Sequence, residues 1–110
     1  YFLIKPGKTW NDAEAYCRAN YIDLAIMDGN ENMAEIQKVA TAQKMTSAAW
    51  IGLYTNMNSW HWTFQNEPLT FSAWYGNPGN GGGNDQCATI RNYVWDNFNC
   101  ATVLTFLCYD

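Results

Sequence analysis

The chain has 110 residues, of which 16% are aromatic and 15% are charged, and its formal net charge is -4. This length suits one domain with a substantial core, and the aromatic content excludes the weakly hydrophobic, highly charged composition of disordered chains. Four Lys and two Arg are scattered singly along the sequence, which predicts no basic stripe for a nucleic-acid backbone. We therefore expect a single domain over residues 1–110 without a nucleic-acid partner.

The two chain ends and the apolar runs bear on the cellular context. No apolar run approaches the roughly 18–20 residues that a membrane-spanning helix needs, so we expect no membrane span in this chain. The first residue is Tyr1 rather than Met. We therefore expect the chain to be a piece of a longer precursor or of a multidomain protein.

A short strand and a helix are predicted first. Residues 1–4 have a strand pattern, which the turn dipeptide Pro6-Gly7 stops. Thr9 and Asp12 have the spacing of a helix capping box, and apolar residues then recur at helical spacing. We expect a helix over residues 9–20.

A second helix is predicted after a brief extended segment at residues 21–26. The Asp28-Gly29-Asn30 cluster interrupts the chain and can cap a helix, because these residue types favour turns and helix N-termini. The residues that follow have an apolar stripe at helical spacing, which consists of Met33, Ile36, Val39 and Ala40.

The pattern then changes from helices to strands. The predicted strands cover residues 50–53, 60–64, 87–91, 93–95 and 105–108, with a long loop over residues 65–86. Helices followed by a set of antiparallel strands predict an α+β fold.

The segment from Trp74 to Cys100 contains a Gly-rich loop and a row of oxygen-bearing side chains. Loops longer than about 12–15 residues are uncommon in compact domains unless they bind a ligand or are disordered. Hard oxygen donors suit Ca²⁺ better than a transition metal, and the segment supplies Asn77, Asn80, Asn84, Asp85, Asp96, Asn97 and Asn99. The sequence therefore predicts a cation or ligand site here.

Four cysteines stand at positions 17, 87, 100 and 108. They form no C-x-x-C pair and have no nearby His that would complete a zinc site. Disulfides in an oxidising compartment are the preferred interpretation, and four cysteines allow three pairings.

Short motifs along the whole chain together resemble the C-type lectin-like domain. They are, in order, W-x-x-A-x-x-x-C from Trp10 to Cys17, W-I-G-L from Trp50 to Leu53, W-x-W from Trp60 to Trp62, W-x-G-x-P from Trp74 to Pro78, C-x-x-I from Cys87 to Ile90, Trp95 five residues before Cys100, and F-x-C from Phe106 to Cys108. The first and last residues are also similar to domains that are numerous in bony fishes.

The resemblance implies a specific fold and setting. It implies two helices flanking small antiparallel sheets, a long ligand-binding loop, and nested disulfides that join Cys17 to Cys108 and Cys87 to Cys100. It also implies an extracellular recognition module, either secreted or part of a membrane protein's ectodomain, with a glycan or glycoprotein as its expected partner.

In sugar-binding members of the family, a Ca²⁺ ion held by the loop is completed by two vicinal sugar hydroxyls. The resemblance places carbohydrate-binding residues at Asn77, Asp85, Asp96 and Asn97, and Asn80 joins them as a calcium ligand. The family's Glu-Pro-Asn motif is replaced by Asn77-Pro78-Gly79, and its Asn-Asp pair is reversed as Asp96-Asn97. Because ligand charge is a main determinant of Ca²⁺ affinity, we expect a weakened site.

The sequence is therefore compatible with three functions. The first is Ca²⁺-dependent carbohydrate binding through the altered site, and the second is calcium-free binding of a protein ligand. The third is a specialised surface such as ice binding, which some fish members of the fold acquired. We do not expect an enzyme, since no nucleophile, base and orienting acid can be assembled around His61, the only histidine.

Aromatic residues near the loop allow two interpretations, because a ring can stack on a sugar or belong to the core. For Trp74 and Trp95 we expect a core position beneath the loop. For Tyr75, Tyr93 and Phe98 the two interpretations remain open.

Overall fold

Two helices and seven strands form the part of the chain that the computed structural model describes, namely residues 1–27, 29–56, 59–69, 86–92 and 94–110. The elements are β1 (Phe2–Lys8), α1 (Trp10–Asn20), β2 (Asp23–Leu24), α2 (Asn30–Ala42), β3 (Ala49–Asn56), β4 (Ser59–Trp62), a 3-10 turn (Phe64–Asn66), β5 (Cys87–Arg91), β6 (Val94–Phe98) and β7 (Leu104–Tyr109). Among these residues, no helix is long and apolar enough to cross a membrane.

The strands pair in the order β1-β7-β3-β5-β6, while β2 also pairs with β7 and β4 with β3. All pairings are antiparallel except that of β3 with β7, where Trp50 faces Phe106. This parallel contact joins the expected small sheets into one. The α+β class and the lectin-like arrangement of two helices beside antiparallel strands are confirmed.

The first strand continues beyond the point predicted from the sequence. Pro6-Gly7 does not end β1, which reaches Lys8 through an irregular register between Ile4 and Lys8. β1 is an edge strand, and an edge tolerates a proline because its outer side needs no backbone donor. The turn dipeptide therefore produces a bulge within the strand.

Both predicted helices are present. Thr9 Oγ1 accepts the N–H of Asp12 at 3.4 Å, which confirms the capping interaction at the start of α1. α2 follows Gly29, which makes no side-chain capping bond. The predicted stripe of α2 packs against the core, with Met33, Ile36 and Ala40 buried and Val39 partly buried.

The core consists of two clusters that lie on opposite faces of β5 and β6, because neighbouring side chains of a strand alternate. One cluster includes Ile90 and Trp95, and the other includes Cys87, Trp50 and Phe106. Trp95 is 0% exposed, so its predicted core position is confirmed.

Several strand boundaries differ from the prediction, and β3 runs to Asn56 rather than ending at residue 53. β4 ends at Trp62 rather than at residue 64, because the chain turns at Gln65 and Asn66, which have φ values of 57° and 51°. β6 extends to Phe98 rather than ending at residue 95, since its pairing with β5 continues as far as Cys87 opposite Phe98. Asp96 and Asn97 therefore lie within a strand.

The nested disulfides that the resemblance implied are confirmed. Cys17 joins Cys108 across 91 residues, and Cys87 joins Cys100 across 13 residues. The first bond fastens α1 to the last strand, and the second fastens the start of β5 to the turn that follows β6.

Candidate functional site

The two stems of the long loop are fixed to the β3–β4 pair. Leu69 donates its N–H to the carbonyl of Trp60 at 3.1 Å, and Thr55 donates its N–H to the carbonyl of Gln86 at 2.9 Å. Because Thr55 and Trp60 face each other in the pair, the stems straddle it. Three inter-strand steps place them about 14 Å apart.

The first residues of the predicted loop are ordered against β4. Glu67 accepts the N–H of Trp62 at 2.8 Å through its carbonyl, and Pro68 forms an isolated bridge with His61. The predicted loop over residues 65–86 is therefore too long at its start. Residues 70–85 lie outside the described residues. They include the predicted site residues Asn77, Asn80 and Asp85 and the aromatic residues Trp74 and Tyr75. Tyr93 also lies outside the described residues.

Asp96 is the predicted site residue whose surroundings are clearest. It lies on β6 opposite Thr89 and next to the buried Trp95, while its own side chain is exposed. Its Oδ1 accepts the N–H of Asn97 at 2.9 Å. Among the described residues, no hydrogen bond or ion pair engages Oδ2.

Asn97 lies on the other face of the same strand. It faces Ala88 across the β5–β6 pair and is partly buried, since successive side chains of a strand alternate. β6 ends the described strand order. Asp96 and Asn97 are therefore consecutive residues at this edge, with side chains on opposite faces of β6.

Of the five predicted calcium ligands, the described residues include only Asp96 and Asn97. No three His, Cys, Asp or Glu side chains gather within the described ranges. Asp96 contributes a carboxylate oxygen of the kind that Ca²⁺ prefers, and Asn97 contributes an amide oxygen. The donor types of these two residues suit the ion, but two residues alone do not supply the six to eight ligands that it takes.

A cavity of about 270 Å³ adjoins Asp96. Its lining residues are Ala48, Thr89, Arg91, Asn92, Val94, Asp96 and Phe98. The ring of Phe98 also packs edge-on against Trp50, with ring centroids 6.3 Å apart. The ring thus belongs to the core on one side and lines the cavity on the other.

A buried polar network behind the loop stem has no counterpart in the sequence analysis. Asp23 is 2% exposed and accepts bonds from Thr63 Oγ1 at 3.0 Å and from its own neighbour Leu24 N–H at 2.8 Å. Arg18 reaches Asp23 at 3.2 Å and also the carbonyl of Thr63. The network fastens α1 and β2 to the chain that leads into the loop, and the wide sequence spacing of its members gave no signal.

Glu14, whose carboxylate lies beside Arg18 of this network, has a raised pKa. Burial raises the pKa of the Glu14 carboxyl above its ordinary value; Arg18 opposes the rise and the Asp23 carboxylate adds to it. The Arg18 guanidinium lies 3.7 Å from the Glu14 carboxylate, and its attraction offsets the effect of burial only in part.

Comparison with known proteins gives a consistent result. A family model, the Lectin C-type domain, matches residues 6–110. The chain is 28% identical over 118 residues to the C-type lectin mannose-binding isoform of Oxyuranus scutellatus, covering 98% of this chain and 74% of that protein. It is also 28% identical over 118 residues to E-selectin of Oryctolagus cuniculus, covering 99% of this chain but 21% of that protein.

Solved structures extend the likeness to the fold. Human lithostathine superposes with a TM-score of 0.85 at 20% identity, covering 96% of this chain and 86% of the other. A calcium-independent type II antifreeze protein superposes with a TM-score of 0.81 at 22% identity, covering 96% and 81%. At these identities the likeness concerns the fold.

Proposed function

The chain belongs to the C-type lectin domain family, and we propose that it is an extracellular, non-enzymatic module that binds carbohydrate through a Ca²⁺ ion. The observation that carries the proposal is Asp96 on β6, whose exposed carboxylate engages only Oδ1 in a hydrogen bond among the described residues. The name of the mannose-binding relative from Oxyuranus scutellatus supports a carbohydrate ligand. Two disulfides support an oxidising, extracellular setting.

The proposed calcium ligands are Asn77, Asn80 and Asp85 from the long loop, together with Asp96 and Asn97. Sugar binding follows from the coordination chemistry, because a vicinal diol can fill two positions that the protein leaves open on a flexible Ca²⁺ shell. The proposed carbohydrate contacts are Asn77, Asp85, Asp96 and Asn97. Only two of the five calcium ligands are carboxylates, so the proposed affinity for Ca²⁺ is low.

His61 is consistent with a non-enzymatic role. It lies on β4 within the β3–β4 hairpin, and its Nδ1 is 3.2 Å from the carbonyl oxygen of Ser59. Its ring also packs at a tilt against Tyr54, with centroids 6.3 Å apart. These contacts support a structural role for the imidazole.

A glycan array read with calcium and with a chelator tests the proposal. We expect the chain to bind at least one glycan in calcium and to lose it in the chelator, and we expect Asp96→Ala to abolish this binding. The matched control is Asp110→Ala, which removes the same charge from an exposed residue outside the site. Binding that survives both the chelator and Asp96→Ala would refute the calcium-dependent proposal.

A protein ligand bound without calcium is the second candidate. It is favoured by the change from Glu-Pro-Asn to Asn77-Pro78-Gly79, which removes a carboxylate and an amide from the site. The fold also occurs in a protein described as calcium-independent, the type II antifreeze protein. Ice binding is the third candidate, and a measurement of thermal hysteresis in solutions of the domain tests it.

A further inference from the structure

Three of the six basic residues are engaged by neighbours within the fold. Arg18 pairs with Asp23 and Glu14, Lys38 pairs with Glu35, and the Lys8 ammonium lies 5.7 Å from the centroid of the Tyr16 ring. The three others are Lys5, Lys44 and Arg91, and among the described residues none of them forms an ion pair.

These three exposed residues lie along one surface, although they are far apart in sequence. Lys44 and Arg91 line one cavity of about 430 Å³. Lys5 and Lys44 line an adjoining cavity of about 180 Å³. Lys44, Met45 and Thr46 belong to both cavities, so we name this continuous region the basic surface, defined by Lys5, Lys44 and Arg91.

The rest of the basic surface supplies neutral hydrogen-bonding groups. The other polar residues that line the two cavities are Gln37, Thr41, Thr46, Ser47, Asn92 and Thr105, and no Asp or Glu is among the described lining residues. In a chain with a net charge of -4, three cations around two cavities whose described lining contains no acid form a local positive field. Hydroxyl and amide groups around such a field can bind the oxygens of an anionic ligand.

Stabilisation of a helix end explains the position of only one of the three cations. Lys44 follows the end of α2, where a cation interacts favourably with the helix dipole. The dipole falls off within the last helical turn, so it gives no reason for Lys5 on β1 or Arg91 on β5. Like charges that share a surface repel each other, which makes the clustering a cost to the isolated domain.

We infer that the basic surface binds a sulfated polysaccharide, and that it does so without calcium. A flexible polyanion can span both cavities, with sulfate groups at the cations and sugar hydroxyls at the neutral groups. No aromatic residue is among the described lining residues, whereas single-stranded nucleic acids are bound on aromatic stacking platforms. This favours a polysaccharide.

The basic surface is separate from the proposed calcium site but adjoins it. Arg91 lines the cavity that contains Asp96 as well as the cavity that contains Lys44. Within the described ranges, Arg91 and Asp96 form no ion pair. A long glycan can therefore contact both sites, while the anionic contact needs only Lys5, Lys44 and Arg91.

Heparin is the probe that tests the inference, with titration calorimetry in about 50 mM NaCl as the measurement. We expect the unmodified chain to bind heparin equally with calcium and with EDTA. The double variant Lys44→Gln/Arg91→Gln is expected to bind at least about tenfold more weakly, and the slope of log Kd against log salt is expected to fall by about 1 for each cation removed.

The matched control is Lys8→Gln/Lys38→Gln, which lowers the net charge by the same amount but removes cations that are already engaged. It is expected to change the affinity by less than about twofold. An equal loss in the two double variants, or no heparin binding at all, would overturn the inference. It would also fail if desulfated heparin bound as tightly, or if polyglutamate or single-stranded DNA competed as effectively at equal charge.

The outcome is independent of the proposed calcium site. Loss of heparin binding in EDTA would assign the contact to calcium and overturn the inference. A negative glycan array in calcium, together with heparin binding that requires Lys44 and Arg91, would refute the proposed function and leave the basic surface standing.

Discussion

Gly52→Ala is the substitution whose effect follows most directly from the packing. Gly52 is the glycine of the W-I-G-L segment on β3, and it lies against β2 and the chain after β4. Its N–H donates to the carbonyl of Ala25 at 2.8 Å, and its carbonyl accepts the N–H of Thr63 at 2.7 Å. A methyl group at this position enters a space that is bordered by the Thr63 and Leu24 side chains and by the Ala25 carbonyl.

The cost can be estimated from the distances. A Cβ on Gly52 would lie 2.8 Å from Thr63 Oγ1, 3.2 Å from the Ala25 carbonyl oxygen and 3.2 Å from Leu24 Cβ. Thr63 cannot turn away freely, because its hydroxyl donates to the buried carboxylate of Asp23 at 3.0 Å. Overpacking costs about 1–3 kcal/mol and a weakened bond to a buried carboxylate adds about 1 kcal/mol. We expect a loss of about 2–4 kcal/mol.

Urea unfolding followed by tryptophan fluorescence measures this loss, and thermal unfolding checks it. The expected fall in Tm is about 8–16 °C, at about 4 °C per kcal/mol for a domain of this size. Gly29→Ala is the matched control, because an added Cβ there meets nothing within 4 Å. The control should change stability by less than about 0.5 kcal/mol, since a worse cap offsets a less flexible unfolded chain.

A double-mutant cycle with Thr63→Ala identifies the source of the strain. Removing the hydroxyl removes the 2.8 Å contact, so Gly52→Ala should cost about 1 kcal/mol less in that background. If Gly52→Ala were no more damaging than Gly29→Ala, the packing argument would be wrong. Strict additivity in the cycle would exclude Thr63 as the clashing partner.

Three further predictions concern the disulfides, Glu14 and Phe98. Replacing Cys17 and Cys108 by Ala should lower stability by about 4–5 kcal/mol, whereas replacing Cys87 and Cys100 by Ala should lower it by about 3 kcal/mol, because the first bond closes the longer loop. Urea unfolding that gave the reverse order would contradict this prediction. Because the folded pKa of Glu14 is raised, its stabilising contribution is present below the unfolded pKa and is lost as pH rises through the folded value. Glu14→Gln should therefore stabilise the domain relative to the unmodified chain at neutral pH more than at pH about 3, and a pH-independent difference in Tm would refute the assignment. Phe98→Ala should cost about 2 kcal/mol, less than a fully buried phenylalanine would, because the ring is only partly buried. Glycan affinity should stay within about twofold if the ring is mainly structural, whereas a large affinity loss without destabilisation would place the ring in the site.

Local sequence signals predicted the elements whose stability is also local. The capping spacing of Thr9 and Asp12 predicts the start of α1 because the bond it makes lies within one helical turn. The alternation around His61 predicts β4 because Trp60 and Trp62 both face the core. The pairing of distant cysteines was implied by the family resemblance, and their spacing alone left three pairings open.

The misplaced boundaries depend on contacts between distant segments. Pro6-Gly7 looks like a strand end until β7 provides a partner that accommodates a bulge. The extent of β6 is set by its pairing with β5, which the residues after Trp95 do not reveal. In the candidate site, the exposure of Asp96 follows from the burial of its neighbour, while Asn77, Asn80 and Asp85 remain predictions from the family pattern.

The clustering of charges on the basic surface could not be predicted from the sequence either. Lys5, Lys44 and Arg91 are isolated in the sequence, so counting basic runs gives no patch. The fold brings an edge strand, a helix end and an inner strand to the same two cavities. Clusters of this kind depend on tertiary structure and are invisible to a reading of local composition.

Calcium titration of the unmodified chain and of Asp96→Ala, followed by calorimetry and tryptophan fluorescence, tests the proposed function most directly. We predict saturable binding to the unmodified chain with a Kd of about 10⁻⁴–10⁻³ M, the range of extracellular Ca²⁺ modules, with a fluorescence change from Trp95 beside the site. Asp96→Ala should abolish both signals while its Tm in EDTA stays unchanged. No heat or fluorescence change at about 10 mM Ca²⁺, or identical titrations for the two proteins, would contradict the proposal that Asp96 binds calcium.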